Sequence, residues 1–199
     1  MTAAAQVEQG ERADVRTIVY GGIKLGVLTT VGVVTFALLA RALDGTVETV
    51  VQAVLLVAGG VVFAFLPALW VRPRTADGIA WAALVGLLGA LTFTVLDTAL
   101  LRPFDLYHWT WDEIGGGSGF WYIPVWWMGS AFVAWLGAWI MAATRASAIG
   151  AIGTTLVLSI VLFGLLVVSV APATSAVMAL AFTLALVVHV PVAVVRSRK

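Results

Sequence analysis

Six long apolar segments, separated by short polar segments, set the pattern of this sequence. They cover residues 15–39, 47–71, 78–101, 120–143, 149–170 and 174–195. A helix needs about 20 apolar residues to cross the hydrocarbon core of a membrane. Apolar residues fill successive positions instead of alternating with polar ones, which excludes a membrane β-barrel. Backbone hydrogen bonds must then close within each segment, so the pattern predicts an all-α bundle of six transmembrane helices.

Composition supports a membrane location for the whole chain. Hydrophobic residues make up 62% of the 199 positions, charged residues 11%, and the mean hydropathy is +1.07. A soluble domain of this size has too little interior to hide so much apolar surface. The net charge of +1 and the absence of cysteine argue against nucleic acid as a partner and exclude disulfides and thiolate metal sites. No cofactor is predicted.

The positive charges predict the orientation. With six spans, one side carries eight of them, namely Arg12, Arg16, Arg72, Arg74, Arg145, Arg196, Arg198 and Lys199, and the other side carries Arg41 and Arg102. An excess of Lys and Arg marks the cytoplasmic side. We therefore predict a plasma-membrane protein with both termini in the cytoplasm, a disordered N-terminal segment (1–14), one transmembrane domain (15–199) and an outer loop at about 102–119.

Small residues recur every four positions on two of the predicted spans. They are Ala82, Gly86 and Ala90 on the third span, and Ser130, Ala134, Ala138 and Ala142 on the fourth. Such spacing lets two helix backbones approach closely in a membrane. Alanine-rich spans also produce this pattern by chance, and the sequence leaves both interpretations open.

Ionisable residues inside the spans are the main functional candidates, because burying them in lipid is costly. Asp97 lies near the outer end of the third span, and we expect it to line a polar mouth above an apolar cavity between the third and fourth spans, with Arg102 as a neighbour. A carboxylate that simply reaches the interface is the alternative. Lys24 is expected to extend its amine towards the cytoplasm. A site formed by Lys24, His189 and Tyr20 is the less favoured alternative.

The outer loop combines acidic residues, a histidine and tryptophans. Asp105 and His108, with Asp112 and Glu113 after them, supply metal-binding groups, but their spacing matches no zinc or calcium motif, so no metal is predicted. An interfacial aromatic belt explains the tryptophans of the loop. It does not explain Trp135 and Trp139, which lie deep in the fourth span.

These deep rings predict an uneven inner surface that accepts an apolar ligand. The predicted ligand-binding residues are Asp97, Arg102, Asp105, His108, Trp127, Trp135 and Trp139. The entry to the fourth span, Trp121-Tyr122-Ile123-Pro124 with Gly129 after it, loosely resembles a Trp-Trp-x-Pro helix entry of Insig-type sterol-regulated membrane proteins. That resemblance implies a six-helix bundle that holds a lipid, and no residue role is carried over from it.

The favoured function is a non-enzymatic module that binds a lipid or isoprenoid, or a partner membrane protein, which includes a second copy of the chain. One alternative is an intramembrane enzyme acting on a lipid or isoprenoid, with Asp97, Asp105 and His108 as acid–base residues. The other is a small proton-linked transporter that uses Asp97 or His189. An enzyme should gather several polar groups around one pocket.

Overall fold

The computed structural model describes residues 11–104, 122–144, 147–169 and 172–197, with side chains from residue 124 in the second range, and nearly all of these residues are helical. Six helices are long and apolar enough to span a membrane. They are α1 (Val15–Ala42), α2 (Gly45–Val71), α3 (Ala76–Leu96), α4 (Tyr122–Thr144), α5 (Ala148–Ser169) and α6 (Ser175–Ser197). The predicted all-α, six-span fold of a multi-pass membrane protein is confirmed.

Short polar residues begin and end these helices. Asp14 precedes α1 and accepts hydrogen bonds from the amide and the hydroxyl of Thr17 at 2.8 and 2.6 Å. The hydroxyl bond, followed by the amide bond, lowers the pKa of Asp14. Thr75 caps α3 by accepting the amide of Gly78 at 3.1 Å. Arg72 ends α2 in the left-handed region, at φ 57°.

The helices are arranged around a central contact between α2 and α4. Helix α3 packs against both from one side, and α6 packs against both from the other. Helix α1 lies outside α3, its most extensive partner, and α5 lies outside α6. Only 17% of the most apolar window of α1, and the same share for α5, is buried inside the bundle. These two helices therefore present most of the surface that lipid must cover.

Close backbone contact between α3 and α4 occurs at the predicted stripe of small residues. A Cβ at Gly86 would lie 3.0 Å from the carbonyl oxygen of Ser130 and would also overlap the methyl group of Ala134. Ala82 and Ala138 are fully buried in the same region. The stripes on both helices therefore form a packed interface, and the chance interpretation of the pattern is wrong.

A second close contact, between α1 and α3, was not predicted. Gly22 packs directly against Leu88, and a Cβ at Gly26 would lie 2.7 Å from the carbonyl oxygen of Gly89. Gly89 in turn packs against Leu25. The spacing of Gly22 and Gly26 is that of the small-residue motif by which membrane helices pair.

The chain before α1 is attached to the loop between α2 and α3. The carboxylate of Glu11 accepts the amide of Thr75 at 2.6 Å and its hydroxyl at 2.9 Å, and also accepts the amide of Arg74. The amide of Arg12 donates to the carbonyl of Val71 at 2.8 Å. Disorder of residues 1–10 stays a prediction, because they lie outside the described residues. We call the end of the bundle with Glu11 and the last turn of α6 the N-terminal side, and the opposite end the distal side.

Cysteine labelling tests the predicted orientation, since the helix packing is the same whichever side faces the cytoplasm. The parent chain has no cysteine, so any label reports the introduced residue alone. We expect Ser118→Cys to react with an impermeant maleimide on intact cells and Ser197→Cys to react only after the cells are opened. The reverse pattern would place the termini outside.

Candidate functional site

The helix that carries Asp97 changes its geometry at that residue. Residues Asp97–Leu101 form a π-helical turn, and Arg102–Phe104 continue as a 3₁₀ turn. The amide of Arg102 donates to the carbonyl of Asp97, five residues back, and the Arg102 Nε also contacts a carboxylate oxygen of Asp97 at 3.1 Å. In an α-helix, residues five apart do not share a face, so the wide turn is what brings these two groups together.

Proline explains why the wide turn occurs at this position. Pro103 has no amide to donate, and its ring clashes with the carbonyl four residues earlier, which belongs to Ala99. A wider turn relieves this clash. Asp97 is 4% exposed, and the Arg102 side chain is 28% exposed. The predicted neighbour relation of Asp97 and Arg102 is therefore present as a largely buried ion pair on the distal side.

Trp127 reaches the same end of the bundle from α4. Its indole N–H donates to the hydroxyl of Thr94 at 3.1 Å, and this hydroxyl donates to the carbonyl of Ala90. Below Asp97, Ala90 and Phe93 are buried, and α3 meets α4 in direct backbone contact at Gly86. The described residues show packed side chains where an apolar cavity was expected, so this cavity stays a prediction.

Trp135 and Trp139 form an edge-to-face pair in the lower part of α4. Their ring centroids lie 5.0 Å apart, and Phe132 stacks on Trp135 at 6.0 Å. Trp135 packs against both core clusters and Trp139 against the one beside α1 and α3. Both side chains are half-buried. They contribute to packing on the inner side of α4, and their part in ligand binding stays a prediction.

Two predicted site residues, Asp105 and His108, lie outside the described residues. Within the described ranges, no group of three or more His, Asp or Glu side chains is placed to hold a metal ion. The structure brings Asp97, Arg102 and Trp127 to the distal side and places Trp135 and Trp139 deeper on α4. It does not gather these groups around one pocket.

His189 is the centre of a polar cluster that lies on the N-terminal side. Nδ1 of His189 lies 2.8 Å from the hydroxyl oxygen of Thr155 on α5, and the Ser159 hydroxyl donates to the Thr155 carbonyl at 2.7 Å. Thr155, Ser159 and His189 are at most 2% exposed. Lys24, by contrast, is exposed on α1. The bonds of His189 therefore do not support the alternative site with Lys24 and Tyr20.

The second nitrogen of His189 has no hydrogen-bond partner among the described residues. Thr155 has one hydroxyl proton, and its oxygen lies 3.1 Å from the carbonyl of Ala151 and 2.8 Å from Nδ1. The proton goes to one of these two acceptors, and this choice decides which tautomer the imidazole adopts. In either arrangement Thr155 satisfies Nδ1, and Nε2 is left for another partner.

Next to His189, a cavity of about 240 Å³ opens on the N-terminal side between α5 and α6. Its walls include Gly150, Thr154, His189, Ala193, Arg196 and Ser197. A neighbouring cavity of about 360 Å³ shares Thr144 and Ser197 with it and extends along Ala142 and Ala143 at the end of α4. No carboxylate lines either cavity among the described residues, so Arg196 sets the sign of their charge.

Sequence reasoning did not connect His189 with Arg196. The two are seven residues apart, which places them on one face of α6. That spacing was visible in the sequence, but the pairing of α6 with α5, which brings in Thr155 and the start of α5, was not. Arg196 was counted only as a charge that sets orientation.

We expect Arg102→Met to destabilise the protein, because it leaves the Asp97 carboxylate largely buried without its cation. Breaking a fully buried ion pair costs about 3–5 kcal/mol, and the partial exposure of Arg102 lowers our expected loss to about 1–3 kcal/mol. Unfolding in detergent, followed by circular dichroism, measures it. Asp97→Asn combined with Arg102→Met should recover most of the loss. A double variant no more stable than Arg102→Met would contradict a direct pair.

Comparison with known proteins found no matching family model, no matching curated protein and no matching solved structure. The likeness of the α4 entry to Insig-type proteins gains no support from these comparisons. The function therefore has to be argued from the residues and their positions.

Proposed function

We propose that this chain is a membrane-embedded binding protein for a lipid, without chemistry of its own. The observation that supports it is the separation of the ionisable groups. Asp97 is held by Arg102 on the distal side, whereas His189 lies towards the N-terminal side, bonded to Thr155. Acid–base catalysis requires such groups to converge on one reacting atom. In the described part of the chain they do not converge.

The place for the ligand is the pair of cavities between the ends of α4, α5 and α6, which we call the N-terminal cleft. It lies where the helices leave the hydrocarbon core, beside helices whose outer faces are apolar. In α5, for example, Val157, Leu165 and Val168 are 62%, 58% and 88% exposed. A lipid can therefore keep its chains along the outside of the bundle while its polar part enters the cleft.

The enzyme and transporter alternatives depend on residues that the structure does not join. The enzyme needs Asp105 and His108, outside the described ranges, and the transporter needs a path between Asp97 and His189. No contact among the described residues favours either, and both stay predictions, as does an isoprenoid or a membrane-protein partner in place of a lipid.

Native mass spectrometry of the full chain, purified in a mild detergent, tests lipid binding. We expect one lipid to stay bound at collision energies that remove detergent and loosely attached lipids. Complete delipidation followed by addition of a total membrane lipid extract should restore the same adduct mass. A spectrum with only the bare chain, before and after this addition, would contradict the proposal.

A further inference from the structure

We propose that the N-terminal cleft binds the phosphate group of its ligand, with Arg196 and Nε2 of His189 as the recognising groups. This inference rests on the proposed function and specifies its ligand class. Arg196 is a permanent cation that lines the cleft, and the described residues give it no ion-pair partner. Phosphate oxygens are strong acceptors for guanidinium donors. A site with a cation and without carboxylates favours an anion.

His189 supplies the second, independent observation. It is 2% exposed, it lines the cleft, and its Nδ1 is held by Thr155, so the ring is fixed in orientation. A buried polar nitrogen without a partner costs free energy, and a ligand oxygen in the cleft removes that cost. With the Thr155 proton directed at Nδ1, Nε2 carries the hydrogen and donates to the ligand.

The start of α5 adds a favourable field. Gly150 and Ala151, in its first turn, line the cleft, and the amide of Gly150 is capped by the Ser147 hydroxyl at 3.2 Å. The first amides of a helix carry partial positive charge, which stabilises an anion nearby. The hydroxyl oxygens of Thr154 and Ser197 complete the polar wall.

The depths of the two recognising groups suit a phospholipid. Helix α6 has 23 residues and is therefore about 34 Å long, slightly more than the hydrocarbon core of about 30 Å. Arg196, next to its end, lies at the level of lipid phosphates. His189 lies about 10 Å deeper, at 1.5 Å per residue. Arg196 therefore contacts the phosphate first, and His189 bonds an oxygen on the deeper side of the same headgroup.

A binding comparison between two lipids with the same acyl chains separates phosphate recognition from chain recognition. The delipidated full chain is mixed with phosphatidic acid or with the matching diacylglycerol, and the bound fraction is measured by native mass spectrometry. We expect phosphatidic acid to bind at least about tenfold more tightly, the loss typical of a charged hydrogen bond. Inorganic phosphate added as a competitor distinguishes the sources, since displacement at equal concentration would identify a soluble phosphate compound as the ligand.

Three variants test the named residues. Arg196→Gln should lower affinity for phosphatidic acid about tenfold. Arg74→Gln, a matched charge loss on the same side but away from the cleft, should change it less than about twofold. His189→Asn keeps an amide near the position of Nδ1 for Thr155 and removes the group at Nε2. It should keep the parent's thermal midpoint and lose affinity.

The outcomes separate this inference from the proposed function. Equal binding of phosphatidic acid and diacylglycerol would overturn phosphate recognition while lipid binding remained. Equal losses in Arg196→Gln and Arg74→Gln would show that surface charge, not the cleft, attracts the lipid. His189→Asn with parental affinity would reduce His189 to a packing role. Absence of any retained lipid in the parent chain would overturn the proposed function itself.

Discussion

Replacing Gly137 with alanine is expected to destabilise the bundle strongly, although the change adds only one methyl group. A Cβ at this position would overlap the carbonyl oxygen of Ala64, at the central contact of α2 and α4. Backbone atoms cannot turn away as a flexible side chain does, so the two helices must separate. Overpacking typically costs about 1–3 kcal/mol, and we expect a loss at or above the upper end of that range.

The matched control for this prediction is Gly164→Ala on α5, where no atom lies within 4 Å of the added methyl group. Alanine in the middle of a helix is more favourable than glycine by about 0.5–1 kcal/mol, so this variant should be neutral or slightly more stable. Thermal unfolding of both variants in one detergent measures the difference. Equal midpoints would show that α2 and α4 do not meet at Gly137.

The combined variant Trp135→Ala and Trp139→Ala is the second substitution with a large expected effect. Lipid chains are as apolar as these rings, so the loss comes from packing contacts and not from exposure to water. Full burial of one tryptophan would put the cost at about 3–5 kcal/mol, and because both rings are half-buried we expect about that total for the pair.

Met128→Ala is the control for the tryptophan pair, because this side chain is on the same helix and 72% exposed. It should change the free energy of unfolding by less than about 0.5 kcal/mol, as substitutions at exposed positions usually do. Chemical unfolding, followed by tryptophan fluorescence and circular dichroism, gives both values. A pair variant as stable as Met128→Ala would mean that the rings face lipid.

The positions of the spans could be predicted closely, because length and continuous apolarity are local properties. Predicted and observed boundaries of α2 and α5 differ by one or two residues at most. The largest difference is at the end of α3, where the predicted helix continues to Leu101 but the α-helical geometry ends at Leu96. The cause, Pro103, lies beyond the predicted end, and its clash acts four residues back.

The faces by which the helices meet were harder to predict. In a soluble helix an apolar stripe marks the inner face, whereas in lipid both faces are apolar and the stripe disappears. The stripe around Gly86 was found because small residues carry the signal directly. Gly22 and Gly26 carry the same signal on α1, but there they were not recognised.

The candidate site illustrates the same limit. The pair of Asp97 and Arg102 could be anticipated because both residues are near each other in sequence. The contact of His189 with Thr155 joins residues 34 apart, on two helices whose pairing no local pattern specifies. The N-terminal cleft depends on three helix ends at once, so it emerges only from the assembled bundle.

The packing of α1 against α3, with α2 between them in sequence, has a consequence for synthesis of the chain. When α1 leaves the ribosome, its glycine face has no partner until α3 follows, on the order of fifty residues later. At about 5–20 residues per second, this delay lasts several seconds. During that interval the insertion machinery or the surrounding lipid must cover Gly22 and Gly26. The Glu11 contact with the α2–α3 loop also has to wait, so the beginning of the chain is fixed in place only after its first half has been inserted.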